Sequence, residues 1–255
     1  MKLLALIWLC ATAWGQGGHI DASRFVDMSY SFDDKTIYWP TAKPFEWHKD
    51  VWGKRADGKW YSSATFTTSE HGGTHLDSPI HFGENKMAAD EIPVSRLVGP
   101  AKVIDISAQC AKNRNYLLSP ADIAAYEKKS GPLKAGDIVL IRTGWGRFWP
   151  NRKAYLGDDK PGDASHLSFP GIGPDAAKVF VERQVSGVGI DTASLDYGKT
   201  QDFPTHRVLN TANIYGLENV AQLERLPAQG SMVIALPVKV KGGSGGPVRI
   251  IAILP

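Results

Sequence analysis

Apolar and polar positions along the chain follow two rhythms. "RFVDMSY" (24–30), "SSATFTTSE" (62–70) and "AKVIDIS" (101–107) alternate every two residues and are rich in β-branched or aromatic side chains, as half-buried strands are. "GDIVLIRTGW" (136–145) carries a continuous apolar run of the length expected for a buried strand. "SMVIALPVKV" (231–240) and "PVRIIAIL" (247–254) predict two closing strands, joined by "KGGSGG" as a flexible turn. Two stretches shift to the helical period. Ser119 and Pro120 supply an N-cap and a first-turn proline, Asp122 stands at N3, and Gly131 stops the helix. "GPDAAKVFVERQ" (173–184) predicts a second helix, after which "VSGVGIDT" returns to strand. Segment 37–60 carries four tryptophans and reads as a long loop over the first strands; long loops in compact domains tend to be functional.

Seven or eight strands and two clear helices predict a single α/β domain with a mixed β-sheet, because so few helices cannot cover both faces of an all-parallel one. No repeat or low-complexity linker divides the chain. A length of 255 residues and 43% hydrophobic content are enough for a substantial core. The net charge of +3 is spread along the sequence and forms no basic stripe, so no nucleic-acid partner is expected.

The first fifteen residues stand apart. Lys2 precedes the apolar run "LLALIWLCATAW", which is the length of a signal-peptide core and too short to span a bilayer. Ala13 and Gly15 suit cleavage before Gln16, giving a signal peptide over 1–15, a domain over 16–255 and a secreted or secretory-pathway destination without membrane attachment. An uncleaved anchor fits the short run less well, and a lipid-attachment site at Cys10 is opposed by Leu9. Cleavage leaves Cys110 as the lone cysteine, which excludes an internal disulfide and a Cys–His metal site.

The chemistry concentrates in "SEHGGTHLDSPIHF" (69–82). Gly72, Gly73 and Pro79 oppose a helix there. A straight strand would hold His71 and His75 roughly 13 Å apart, too far to share an ion bound at about 2 Å from each nitrogen. Glycine accepts the conformations of a tight bend, so Gly72-Gly73 is where the backbone can fold to bring them together. His71, His75 and Asp77 then form an imidazole–carboxylate set suited to Zn²⁺ or Mn²⁺, with an open position of the catalytic kind. The plainer alternative is a group of hydrogen-bonded or surface histidines in a glycine-rich loop. Further along, His206 and Glu218 lie twelve residues apart; a loop histidine and a helix-start glutamate can meet at that distance, a spacing that carries little weight by itself.

With these residues in hand the sequence resembles a known family. His71-x-Gly73-Thr74-His75-x-Asp77-x-Pro79-x-His81 matches the HxGTHxDxPxH motif of the cyclase-like metal-dependent hydrolases, which include bacterial kynurenine formamidases and isatin hydrolases. "VDMSYSF…YWP", "GDIVLIRTGW", "PGIGPDAAKVFVERQVSGVGIDTASLD" and "HRVLNTANIYGLENV" extend the resemblance over roughly residues 24 to 254. It implies a swivelling β/β/α cyclase-like fold and a homodimer or dimer of dimers. It implies His71, His75 and Asp77 at a first metal site and His81 as general acid/base. It also brings His206 and Glu218 into the active site, either at a second metal bridged by Asp77 or positioning water, with one or two ions per subunit. Asn210 departs from the pattern, standing where many relatives carry leucine.

The activity this implies is hydrolysis of an amide by metal-activated water, with His81 passing the proton to the departing nitrogen. Cys110 has no histidine nearby in sequence and no GxSxG elbow occurs, so nucleophilic serine or cysteine chemistry has little support. The aromatic residues before the metal loop, Trp39, Trp60 and Phe66 among them, favour a flat aromatic substrate, or else pack a core or subunit interface. "YGLENV" and the tryptophan-rich segment look closer to the isatin hydrolase branch, which opens a cyclic amide. Arylformamidase action on N-formylkynurenine is the second reading. A secreted metal-binding protein without catalysis is the third.

Overall fold

The computed structural model describes residues 21–255; the signal-peptide, cleavage and Cys10 expectations fall on residues outside that range. In chain order the strands are β1 (Phe25–Asp27), β2 (Glu46–Lys54), β3 (Trp60–Thr67), β4 (His75–Asp77), β5 (Val98–Asp105), β6 (Leu117–Leu118), β7 (Ile138–Arg142), β8 (Gly171–Ile172), β9 (Gly187–Ile190), β10 (Tyr215–Glu218), β11 (Gln229–Pro237) and β12 (Gly245–Ile253). The α-helices are α1 (Val94–Leu97), α2 (Ser107–Lys112), α3 (Pro120–Ser130), α4 (Arg152–Leu156), α5 (Pro174–Glu182) and α6 (Pro204–Thr211). No helix of the described residues is long and apolar enough to cross a membrane.

Eight strands form one mixed sheet in the order β1-β12-β11-β5-β7-β9-β10-β4. β5, β7, β9 and β10 run parallel, and the other pairings are antiparallel. The sheet then curls until β12 also pairs with β4, making a barrel-like ring whose closing member is only three residues long. Long β12 reaches both neighbours on one side: Gly245–Pro247 pair with β4, while Ile251–Ile253 pair with β1.

β7 shows why its apolar run is continuous. Ile138 and Leu140 face a core with Leu76, Leu217, Val233 and Ile250, whereas Val139 and Ile141 face a second core with Ile123 of α3 and Phe180 of α5. Both faces are buried, so no polar alternation is needed. α3 begins with the predicted capping box, Ser119 and Asp122 each bonding the other's backbone. A third cluster, built from Trp145, Tyr155, Leu167 and Phe169 with Ile37, lies beside Trp39 and supports the pocket described below.

Segment 37–60 departs from the predicted loop. β2 and β3 pair with each other in register from Glu46↔Thr67 to Lys54↔Trp60, forming a two-stranded sheet of their own. Gly58, at φ +77°, sits in the turn between them. The aromatic and β-branched residues that suggested a substrate loop are there because they pair across a hairpin. "KGGSGG" also departs from expectation: its last two glycines are β12 residues paired to β4.

Candidate active site

The bend in the histidine loop is built by two glycines with different roles. Gly73 adopts φ +58°, a left-handed conformation that a side chain would strain. Gly72 leaves room for Tyr38, whose ring lies where a Cβ would stand. Thr74 pins the loop, its hydroxyl donating to the Asn219 carbonyl at 2.8 Å and accepting from Tyr30 N–H at 2.9 Å. Asn219 also donates to the Gly73 carbonyl at 2.7 Å. After the bend, β4 is held on both sides, and its antiparallel register with β10 sets His75 directly opposite Glu218. Gly216 faces Asp77 in the same ladder, and a Cβ there would lie 2.9 Å from the Asp77 carboxylate.

These constraints bring all six sequence-predicted polar residues to one place. His71 Nδ1 lies 2.7 Å from Asp77 Oδ1, and His75 Nε2 lies 3.2 Å from the same oxygen and 3.4 Å from Glu218 Oε2. His206 Nε2 lies 3.3 Å from Asp77 Oδ2 and 3.1 Å from Glu218 Oε1. His81 stacks on His71 with ring centres 3.8 Å apart and planes 17° from parallel. The donor atoms gather as two groups sharing Asp77: His71, Asp77 and His81 in one, His75, Asp77 and Glu218 in the other. The expected trio of His71, His75 and Asp77 is thus divided between them.

Two of the elements differ from expectation. His206 lies on helix α6 instead of a loop, and Glu218 ends strand β10 instead of starting a helix. The start of α6 owes nothing to a local cap. Asp196, ten residues upstream, accepts from Thr205 N–H at 2.9 Å, His206 N–H at 3.1 Å and His206 Nδ1 at 2.7 Å. The same carboxylate therefore caps the helix and orients the imidazole, leaving Nε2 toward Asp77 and Glu218. Sequence reasoning misses Asp196; its place in "DTASLD" between a buried strand and His206 is the only local signal. Asn210 ties α6 to the segment that bears His81, because its side-chain carbonyl accepts from Phe82 N–H at 3.2 Å while its amide donates to the Ile214 carbonyl at 3.1 Å.

The electrostatics follow from two imidazoles and three carboxylates in near-complete burial, with the half-buried rings of His71 and His81 beside them. Burial opposes charge on His75, yet Asp77 and Glu218 outweigh it and lift the ring to about 9. His206 is likewise disfavoured by burial but held well above its ordinary value by Asp196, Asp77 and Glu218. Burial would raise Asp77, but His75, His206 and His71 hold it well below the usual carboxylate range. Glu218 is raised, first by burial and then by the Asp77 charge. His81 behaves oppositely: burial drives it down to about 3, Asp77 resists, and the neighbouring rings add to the depression. It is neutral at pH 7.

The arrangement fits a divalent ion. His75 Nδ1 donates to the Gly73 carbonyl at 2.9 Å, so in the neutral ring Nε2 carries the lone pair, and this buried atom has no hydrogen-bond partner among the described residues. An orphaned imidazole nitrogen facing two carboxylate oxygens is what a coordinated cation would satisfy. Above these groups lies a cavity of about 220 Å³. Trp39, Phe82 and Phe203 form its aromatic wall, with Phe203 5.7 Å from Trp39 and 5.2 Å from Phe82 between ring centres. Phe203 takes φ +50°, uncommon for a bulky residue. Trp39 lines the cavity. Trp60 and Phe66 do not: both stand on the β2–β3 hairpin, 62% exposed and outside the cavity, because that segment pairs with itself instead of folding over the site.

The family model for Cyclase matches residues 26–197. The chain belongs to the cyclase family. The isatin hydrolase of Roseibium aggregatum is 34% identical over 78% of each chain. The kynurenine formamidase of Salinibacter ruber is 30% identical over 89% of this chain and 95% of its own. A crystal structure of an isatin hydrolase bound to the product analogue thioisatinate superposes with a TM-score of 0.83 at 30% identity, covering 91% of this chain and 92% of that one. This cyclase-family protein is accordingly a hydrolase acting on carbon–nitrogen bonds other than peptide bonds. His206 and Glu218 lie beyond the family model's span, and it is the fold that returns them to the motif.

Proposed function

We propose that the protein hydrolyses a small cyclic aryl amide of the isatin type, using one or two divalent ions, Mn²⁺ or Zn²⁺. The observation that carries this reading is the junction of two donor groups through Asp77 directly beneath a small aromatic cavity. His71, His75 and Asp77, with His206 and Glu218, would hold the metal, which when bound supplies Lewis acidity toward a carbonyl and an activated water.

The chain's own residues do the rest. Trp39, Phe82 and Phe203 hold a flat ring, and about 220 Å³ is below the roughly 300–1,000 Å³ typical of drug-sized ligands, so the substrate is small. His81, neutral and stacked on His71, accepts the proton of water as its oxygen bonds to the carbonyl carbon. The imidazolium so formed delivers that proton to the nitrogen as the C–N bond breaks. Asp196 holds His206 throughout.

Arylformamidase action is the second reading, favoured by His206 and Glu218 completing a second donor group around Asp77. Assaying metal-loaded protein with isatin and N-formylkynurenine separates the two, and turnover of neither, nor of related lactams or lactones, leaves a non-catalytic metal binder. For assembly, the reading is a homodimer joined through the exposed aromatic face of the β2–β3 hairpin, where Trp47, Trp52, Trp60 and Phe66 lack cover. Light scattering on wild type and W60A tests this. Export through a leader over residues 1–15 completes the proposal, and a mature N-terminus at Gln16 would support it.

A further inference from the structure

"KGGSGG" is held as firmly as the metal loop itself. Gly242 N–H donates to Asp90 at 2.9 Å, the Gly243 carbonyl accepts from Ala89 N–H at 2.9 Å, and the Ser244 carbonyl accepts from Ser78 N–H at 2.8 Å. The next residue, Gly245, pairs with Asp77, and a Cβ there would meet His71 Cε1 at 2.7 Å. Ser244 is thereby fixed against the edge of the His71 ring.

Its hydroxyl lies between two partners. Ser244 Oγ stands 2.5 Å from Glu70 Oε2 and 2.9 Å from His71 Nε2, and Ser244 N–H donates to the same Glu70 oxygen at 3.2 Å. A serine hydroxyl has one hydrogen and a carboxylate only accepts, so that hydrogen goes to Glu70. Ser244 Oγ must then accept from His71, which places a hydrogen on Nε2. The lone pair of the neutral ring is left on Nδ1, 2.7 Å from Asp77 Oδ1, where two electron-rich atoms call for a cation.

We propose that Ser244 and Glu70 are positioning residues that set the tautomer of His71 and make Nδ1 its ligand atom. His75 is set the other way: its Nδ1 donates to the Gly73 carbonyl and Nε2 is presented. Neighbouring histidines of one motif thus offer different nitrogens because different partners occupy the other side of each ring. The inference rests on the metal reading above and adds the groups that orient one of its ligands.

The test is Zn²⁺ and Mn²⁺ affinity by competition with a chromophoric chelator, on wild type, S244A, E70A and E70Q, with unfolding of each metal-free protein followed in parallel. S244A and E70A are expected to bind about 10–100-fold more weakly. E70Q should stay within a few-fold of wild type, since its amide oxygen can accept the same hydrogen. Long-range ¹H–¹⁵N spectra of the zinc form should show His71 protonated at Nε2. Equal affinity in wild type, S244A and E70A, or a His71 proton on Nδ1, overturns the inference while leaving the metal reading intact. Uptake of neither ion by wild type overturns both. Should S244A fail to fold, the E70A and E70Q pair carries the comparison.

Discussion

Replacing Asn210 by leucine removes an acceptor and a donor from a fully buried position at once. The Ile214 carbonyl, on a 2% exposed residue, loses the Asn210 amide; a buried unsatisfied group of this kind costs about 1–3 kcal/mol. Phe82 is only half-buried, so its N–H recovers part of its loss in water, leaving about 1 kcal/mol. Burying the leucine side chain returns roughly 1–2 kcal/mol. The net is a destabilisation of about 0–3 kcal/mol, and at about 1.5 kcal/mol the melting temperature of a domain this size falls by about 3–6 °C. Phe82 is a wall of the cavity and His81 precedes it, so loosening that bond moves the proton carrier without touching a ligand. Turnover should fall about tenfold at unchanged metal content. Thermal unfolding, kcat/KM and metal analysis on one preparation check all three. An N210L protein as stable and as active as wild type would refute the role given to this residue.

Three further outcomes are expected. Asp196→Ala removes the acceptor that now takes His206 Nδ1–H, so the ring is no longer held in one tautomer and metal affinity should drop about 10–100-fold; chelator competition measures this, and unchanged affinity would remove Asp196 from the site. Trp39→Ala strips one wall of the cavity and should raise KM about 10–100-fold, whereas W60A should leave the KM of a dissociated subunit alone and alter the sedimentation profile; the reverse result would move the substrate wall to the hairpin. In the metal-free protein His75 keeps its proton up to about pH 9, and only the neutral ring binds an ion, so uptake below that pH expels a proton. Apparent affinity should then rise about tenfold per pH unit for each proton released and level off above about 9; calorimetry in buffers of different ionisation heat at pH 7.5 counts the protons, and release of less than one per ion would show that His75 is not a ligand.

Much of the site is legible in the sequence because its information is local. The spacing of His71, His75 and Asp77 requires a bend, and the glycines that permit it stand between the histidines. The buried run in β7 and the capping box of α3 are equally readable, since each is specified by adjacent residues. What escapes depends on partners far away in sequence. α6 reads as loop because Phe203-Pro204-Thr205 offers no cap; the cap is Asp196, delivered by the turn after β9. Segment 46–67 reads as loop plus strand because its tryptophans and charged turn obscure a pairing that lies wholly within it. "KGGSGG" reads as flexible because glycine permits motion, but here glycine permits contact: Gly245 lies against β4, where a Cβ would meet the Leu76 carbonyl oxygen and the His71 ring.

The three-residue strand that closes the barrel would give a bound ion a mechanical role as well. His75 and Asp77 are two thirds of β4, and across the seam with β10 they stand opposite Glu218 and Gly216 respectively. An ion shared across that seam acts as a rivet between two staves. At a free concentration one hundred times its Kd it would add about 2.7 kcal/mol to the folded state. The hydrolase and its scaffold would consequently fail together under a chelator, with the joint between β4 and β10 the first to open.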